Sequence, residues 1–170
     1  MIQPPSTQAM LIVAHPAHEL RVLRWFESAA PTLAVLTTGS RNGANRDRLE
    51  RTAVLARSVG APLSGLFGPM LDRELYSLVA AGTAEPLHAC AELLRDEMVR
   101  DGTRLAVVDA WQGYSIAHDL AHLLGRIAAA EAGAQTGRAI EVVEFAPVST
   151  ETAPRLDQAP ALYGLSLIHI

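Results

Sequence analysis

The sequence predicts one α/β domain with a Rossmann-like three-layer sandwich, in which a mostly parallel sheet carries helices on both faces. Short apolar runs alternate along the chain with longer amphipathic segments, a pattern typical of β-α-β units. Parallel strands need such crossovers because a tight turn cannot join them. The 170 residues are 49% hydrophobic and 19% charged, so one domain can bury a sizeable core.

Five apolar runs are predicted as strands because each is short and bounded by Gly, Pro or polar residues. In chain order they are residues 9–14, 32–38, 62–68, 104–110 and 139–148. The second run ends in a loop rich in Gly and Asn, which are turn-forming residues. The fourth run, RLAVVDA, is a strong strand pattern.

Five segments with helical spacing of apolar residues are predicted as helices. They are residues 19–30, 46–60, 70–82, 85–102 and 116–134. The inner side of the first is expected to carry Leu20, Leu23 and Trp25 or Phe26. Gly60 ends the second helix, as glycine commonly does. The third is a short helix or a lid element.

Charge and composition exclude several classes of function. Net charge is −4 with no block of like charge, so no nucleic-acid surface is expected. All fourteen basic residues are arginine, which excludes a Schiff-base lysine and a P-loop lysine. The single cysteine, Cys90, is expected to be a half-buried helix residue. No apolar run reaches the ~18 residues of a membrane span, and residues 1–9 lack signal-peptide features, so we expect a cytoplasmic protein.

The last six residues, LSLIHI, match the translation of a transposon-end adapter used in preparing sequencing libraries. We therefore interpret residues 165–170 as a sequencing artefact. Residues 1–164 are then a single domain that we expect to be incomplete at its C-terminus. For this reason His169 is not considered as a ligand.

Three histidines are predicted to meet at one edge of the sheet. His15 and His18 follow the first strand and His118 follows the fourth, and ligands bind beyond the carboxyl ends of strands in such sheets. Neutral imidazoles bind zinc well, and three of them leave open the position that catalysis requires. Asp119 or Glu19 could orient an imidazole. An H-x-x-H spacing is common in loops, so spacing alone slightly favours ordinary polar loop residues.

Other side chains near this edge have more than one interpretation. His122 follows His118 by one helical turn and is expected to pack within its helix. Arg41 lies in a loop that could recognise an anion or sugar hydroxyls, although no G-x-G-x-x-G pattern supports nucleotide binding. Trp111 and Tyr114 could stack on a sugar ring, or they could be a core tryptophan and a loop tyrosine.

The placement of these residues resembles the PIG-L/LmbE family of zinc-dependent N-acetyl-sugar deacetylases. The family motif A-H-P-D-D-E reads AHPAHE here, at residues 14–19. The family's T-D-G is similar to VLTTGS, its LGxPDxxL to LFGPMLDREL, and its E-G-G-H-P-D-H-D to QGYSIAHD at residues 112–119. The resemblance covers most of residues 10–146 and depends mainly on the first motif.

The resemblance implies a zinc site and an amide hydrolase. In the family, the first histidine, the second aspartate and the late histidine bind zinc, and the first aspartate is the general base. His15 and His118 match two of these ligands, and His18 takes the place of the aspartate ligand. Ala17 takes the place of the base and cannot accept a proton. General-base assistance contributes typically ~10²–10⁴-fold, so a much weakened deacetylase is expected unless Glu19 or Asp119 substitutes.

Three hypotheses are open for the function. The first is a divergent zinc-dependent hydrolase that removes an acyl group from an N-acetylated sugar or a similar small amide. The second is a non-catalytic relative that keeps the fold as a binding or regulatory module. The third is an unrelated Rossmann-like domain with coincidental histidines. The family assignment fails if the first and fourth strands are not parallel strands that open at the same edge of the sheet.

Overall fold

A computed structural model describes residues 8–40 and 46–146 of the chain. Five strands form one sheet in the order β3-β2-β1-β4-β5, and every neighbouring pair is parallel. The strands are Ala9–Val13 (β1), Thr32–Thr37 (β2), Leu63–Met70 (β3), Leu105–Asp109 (β4) and Glu141–Phe145 (β5). The predicted fold class is confirmed, with a sheet that is parallel throughout. Arg41 and residues 165–170 lie outside the described residues.

Helices occupy the connections between the strands, as the alternating pattern predicts. After a short 3₁₀ helix at His18–Val22, the helices are Leu23–Ala29 (α1), Arg46–Val59 (α2), Asp72–Ala80 (α3), Glu85–Asp101 (α4) and Ile116–Thr136 (α5). Each of the first four lies within a segment predicted as helical, and α5 extends two residues beyond its predicted segment. None of these helices, in the part of the chain that the structure describes, is long and apolar enough to cross a membrane.

The first helical segment differs from the prediction in one respect. It begins as the 3₁₀ helix and becomes α-helical only at Leu23. Because a 3₁₀ helix repeats every three residues and not every 3.6, Leu20 turns outward and is 51% exposed. The expectation that Leu20 faces inward was wrong, whereas Trp25 and Phe26 are both buried.

Two hydrophobic layers cover the two faces of the sheet. Successive side chains of a strand point to opposite faces, and β1 divides in this way between the layers. Met10 and Ile12 join a cluster with side chains of α3, α4 and α5. Leu11 and Val13 join a second cluster with side chains of α1 and α2. Burial on both faces explains why β1 is an uninterrupted apolar run in the sequence.

Gly125 allows α5 to approach the sheet closely. A Cβ atom there would lie 2.7 Å from Val108 Cγ1 and 3.1 Å from Ile12 Cδ1. We expect Gly125→Ala to lower the free energy of unfolding by about 1–3 kcal/mol through overpacking, although alanine favours helix by about 1 kcal/mol. Urea denaturation measures the change. Ala130→Gly, at an exposed position of α5, reports the helix-propensity contribution alone. A Gly125→Ala protein as stable as the wild type would contradict the close approach.

The strand order places a topological switch point between β1 and β4. The chain leaves β1 towards β2 on one side, whereas β4 pairs with β1 on the other side. A crevice at the carboxyl ends of the two central strands is the usual ligand site of such sheets. The segments that contain His15, His18 and His118 follow β1 and β4, so they lie at the end of the sheet where such a site is expected.

Candidate metal centre

The rings of His15, His18 and His118 form a compact triangle at the switch point. Their centroids are 5.3 Å apart for His15 and His18, 5.1 Å for His15 and His118, and 4.8 Å for His18 and His118. The first two rings come from the loop and 3₁₀ helix after β1, and the third comes from the first turn of α5. The structure therefore brings together the three histidines that the sequence predicted to converge.

His15 is held by the end of β2 and the start of α3. Its Nδ1 lies 2.8 Å from the hydroxyl oxygen of Thr37 and 3.5 Å from a carboxylate oxygen of Asp72. Gly39 lies close to the loop that contains His15. A Cβ atom at Gly39 would be 3.1 Å from Pro16 Cδ and 3.3 Å from His15 Cβ, and its φ of +65° favours glycine.

Asp109 holds His18 and the end of β1 together. Its carboxylate is fully buried at the last position of β4. The backbone N–H of Ala14 donates to Oδ2 over 2.7 Å, and His18 Nδ1 lies 2.9 Å from the same oxygen. Since an ionised carboxylate only accepts hydrogen bonds, His18 Nδ1 carries a proton and donates it to Asp109, which leaves Nε2 as the nitrogen that could face a metal ion.

His118 is held by Gln112 in the loop after β4. Its Nδ1 lies 2.6 Å from Gln112 Oε1. Asp119 shapes this loop, because its carboxylate accepts hydrogen bonds from the backbone N–H groups of Gln112 and Gly113 at 2.7 to 3.1 Å. All three rings thus face an oxygen acceptor with Nδ1, an arrangement common among metal-binding histidines.

Burial disfavours the protonated form of two of the imidazoles, those of His15 and His118. It lowers the pKa of His15 to about 4, with further lowering by His18 and His118 and partial opposition from Asp72. Burial also lowers the pKa of His118, and Asp109 opposes that change. At physiological pH these two rings therefore retain the lone pair that a metal ion requires.

Acidification is expected to destabilise the metal-free protein. Because the pKa of His15 is about 4 in the folded state against 6.5 ordinarily, the unfolded chain binds more protons between these pH values. The free energy of unfolding therefore falls as pH decreases from 6.5 towards 4, by about 1–3 kcal/mol for a shift of this size. Thermal unfolding across this range measures the slope. His15→Gln should flatten it, and an unchanged slope in that variant would contradict the assignment.

Ala17 adopts an uncommon backbone conformation between the two histidines of the loop. Its φ is 78° and its ψ is 0°, in the left-handed region, where Asn, Asp and Gly are the usual residues. Its backbone N–H donates to the hydroxyl of Thr52 on α2 over 3.2 Å. Position 17 therefore has a backbone conformation that would suit Asn, Asp or Gly better than alanine.

The two candidate bases make hydrogen bonds with other groups. Glu19 is buried, and the hydroxyl of Thr52 donates to its Oε1 over 2.7 Å. Its Oε2 is buried without a hydrogen-bond partner. Asp119 binds the two loop amides described above. A role for either carboxylate as a base stays a prediction.

The remaining predicted residues divide into exposed and packed groups. Trp111 and Tyr114 are 54% and 64% exposed in the loop that leads to His118, so Trp111 is not a core residue. His122 is buried, and its Nδ1 lies 3.1 Å from the carbonyl oxygen of Asp109. Cys90 is buried in α4, where burial raises the pKa of its thiol, as expected for a packing residue.

Sequence reasoning missed the acceptors that hold the three rings. These are Thr37, Asp72, Asp109 and Gln112. One signal was available, because Thr37 and Asp109 are polar residues that end buried strands. Pairing each acceptor with its ring requires knowledge of which loops lie side by side.

Among the described residues, no group of three or more His, Cys, Asp or Glu side chains is arranged so that it could hold a metal ion. No protein-family model, curated protein or solved structure matches the chain.

Proposed function

We propose that this chain is a divergent relative of the PIG-L/LmbE deacetylases that binds zinc through Nε2 of His15, His18 and His118. Its reaction is the hydrolytic removal of an acyl group from an N-acylated sugar or a similar small amide. The observation that carries the proposal is the triangle of imidazoles at the switch point, in which each Nδ1 faces an oxygen acceptor.

The ring spacing fits a shared ion. Zinc bonds imidazole nitrogen at about 2.0–2.1 Å in tetrahedral geometry, which separates ring centroids by roughly 5 Å. The observed separations are 4.8, 5.1 and 5.3 Å. The donor atoms themselves do not yet form a ligand group. A shared ion would therefore require shifts of the three side chains that bring their Nε2 atoms together while each Nδ1 keeps its oxygen partner.

The donor set favours zinc or a similar transition metal. Three neutral nitrogen ligands suit Zn²⁺, whereas Mg²⁺ and Ca²⁺ prefer oxygen. Asp109 adds a buried negative charge behind His18, which strengthens that imidazole as a donor. When bound, zinc would act as a Lewis acid towards the substrate carbonyl.

Substrate recognition is assigned to the side chains around the crevice. Trp111 and Tyr114 offer exposed aromatic faces next to His118 in the chain, and such faces stack on sugar rings. Arg41 is the candidate for sugar hydroxyls on sequence grounds. Glu19 and Asp119 are the candidates for the missing base.

One observation favours a non-catalytic relative as the second candidate. Ala17 cannot accept a proton, and the carboxylates of Glu19 and Asp119 are engaged by Thr52 and by loop amides. Such a protein would retain the metal or the fold as a binding or regulatory module for a small molecule or a partner.

Metal content and acyl release together test the two candidates. Protein purified without a metal-binding tag would be incubated with Zn²⁺ and dialysed, and its zinc measured by elemental analysis. About one zinc per chain with acetate release from N-acetylglucosamine derivatives supports the hydrolase. The same zinc content without acetate release supports the non-catalytic relative. No zinc after supplementation would contradict the metal centre itself.

A further inference from the structure

Thr37 connects His15 to the first turn of α3. It is fully buried at the last position of β2. Its hydroxyl oxygen lies 2.8 Å from His15 Nδ1, 2.5 Å from Asp72 Oδ1 and 3.2 Å from the carbonyl oxygen of Ala14. The backbone N–H of Gly39 donates to the same oxygen over 3.2 Å. Four groups therefore compete for one hydroxyl.

Counting protons decides how these groups are paired. A hydroxyl has one proton and two lone pairs. The Thr37 proton could be accepted by the Asp72 carboxylate, by the Ala14 carbonyl or by an unprotonated His15 Nδ1. Two oxygen atoms 2.5 Å apart need a proton between them, so the Thr37 proton is assigned to Asp72. The lone pairs then accept from Gly39 and from His15. His15 must carry its proton on Nδ1.

We propose that Thr37 and Asp72 form a relay that holds His15 in the tautomer with the proton on Nδ1, which makes Nε2 its metal-binding nitrogen. A neutral imidazole has only one lone pair, so the opposite tautomer would present an N–H group to the ion. Thr37 and Asp72 are positioning residues. Their effect on metal affinity rests on the proposed function, whereas the tautomer of His15 does not.

Asp72 is itself held in place at the start of α3. Its backbone N–H lies 3.3 Å from the carbonyl oxygen of Ser40. Glu74 caps the helix by accepting from the backbone N–H of Leu71 over 2.8 Å. Because this turn is held in place, α3 contributes to the centre through Asp72, in addition to the loops after β1 and β4. If Asp72 lost its charge, the Thr37 hydroxyl could turn and donate to His15.

The tautomer can be read directly in the metal-free protein. Long-range ¹H–¹⁵N NMR at neutral pH should show His15 with a protonated Nδ1 and an unprotonated Nε2. Thr37→Ser keeps the hydroxyl and should keep this pattern. Thr37→Val removes it and should give a mixture of tautomers, and Asp72→Asn should shift the population in the same direction. A wild-type protein with the proton on Nε2 would overturn the relay, whether or not the protein binds zinc.

If the relay fixes the tautomer of His15, loss of the relay should weaken zinc binding. Competition with a chelator should show Thr37→Val binding zinc about 10–100-fold more weakly than wild type, and Thr37→Ser within about threefold of it. Asp72→Asn should weaken binding in the wild type and have no further effect beside Thr37→Val, because Asp72 acts through the hydroxyl. Equal costs of Asp72→Asn in both backgrounds, or unchanged affinity in Thr37→Val, would overturn the relay.

Two controls separate positioning from folding. Thr103 is also buried but precedes β4 at the opposite edge of the sheet, so Thr103→Val should leave zinc affinity and the His15 tautomer unchanged. Asp72→Asn tests the relay in a chain that keeps Thr37 and its packing. If no variant binds zinc and neither does the wild type, the proposed function fails, and the NMR pattern alone supports or overturns the relay.

Discussion

His118→Ala is expected to abolish stoichiometric zinc binding. The wild-type protein should retain about one zinc per chain after dialysis, and the variant below about 0.1, because two imidazoles alone hold zinc weakly. His118 is the proposed ligand that completes the triangle, with its ring centroid 4.8 and 5.1 Å from those of the other two histidines. Elemental analysis and chelator competition give the stoichiometry and the change in affinity.

The matched control for this prediction is His88→Ala. His88 lies on an exposed position of α4, so its removal deletes an imidazole without touching the centre. It should leave zinc content and unfolding temperature as in the wild type. If both variants lose zinc equally, or if neither does, the metal is bound elsewhere and the three-histidine site is wrong.

Ala17→Asp is expected to raise hydrolysis of an N-acylated substrate by about 10²–10⁴-fold in zinc-loaded protein, since general-base assistance has typically that value. The left-handed backbone at position 17 accepts aspartate readily. The new carboxylate would stand between His15 and His18 in the loop, beside the proposed metal. Acetate release with saturating zinc measures the gain.

Ala17→Asn distinguishes the effect of a proton-accepting group at position 17 from the effect of relieving the unfavourable backbone conformation there. Asparagine has the same shape and the same tolerance for positive φ, but its amide cannot act as a base. We expect neither variant to be less stable than the wild type. The free energy of unfolding measured in urea should rise by up to about 1–2 kcal/mol, because Asp and Asn tolerate the left-handed conformation better than alanine. Only aspartate should raise the rate. Equal rates in the two variants, or no gain in zinc-loaded Ala17→Asp, would contradict the view that position 17 lacks the base.

Much of the architecture was predictable because it depends on local pattern. Uninterrupted apolar residues in β1 and β4 predicted strands buried on both faces, and helical periodicity predicted the crossovers between them. The 3₁₀ start of the first helical segment was not predicted. Leu20 fits a helical repeat in the sequence, but the positive φ of Ala17 and the 3₁₀ geometry after it turn Leu20 to solvent.

The sequence alone determined which residue types follow which strands. Because the carboxyl ends of parallel strands lie at one edge of the sheet, it also predicted that His15, His18 and His118 converge. Only the tertiary structure decided which oxygen holds each ring. Thr37 lies 22 residues from His15, and Asp109 lies 91 residues from His18, so neither pairing has a local signal. Hydrogen bonds depend on distances of a few tenths of an ångström and on direction. Those quantities are set by strand register and by the packing of α3 and α5, which no pattern along the chain specifies.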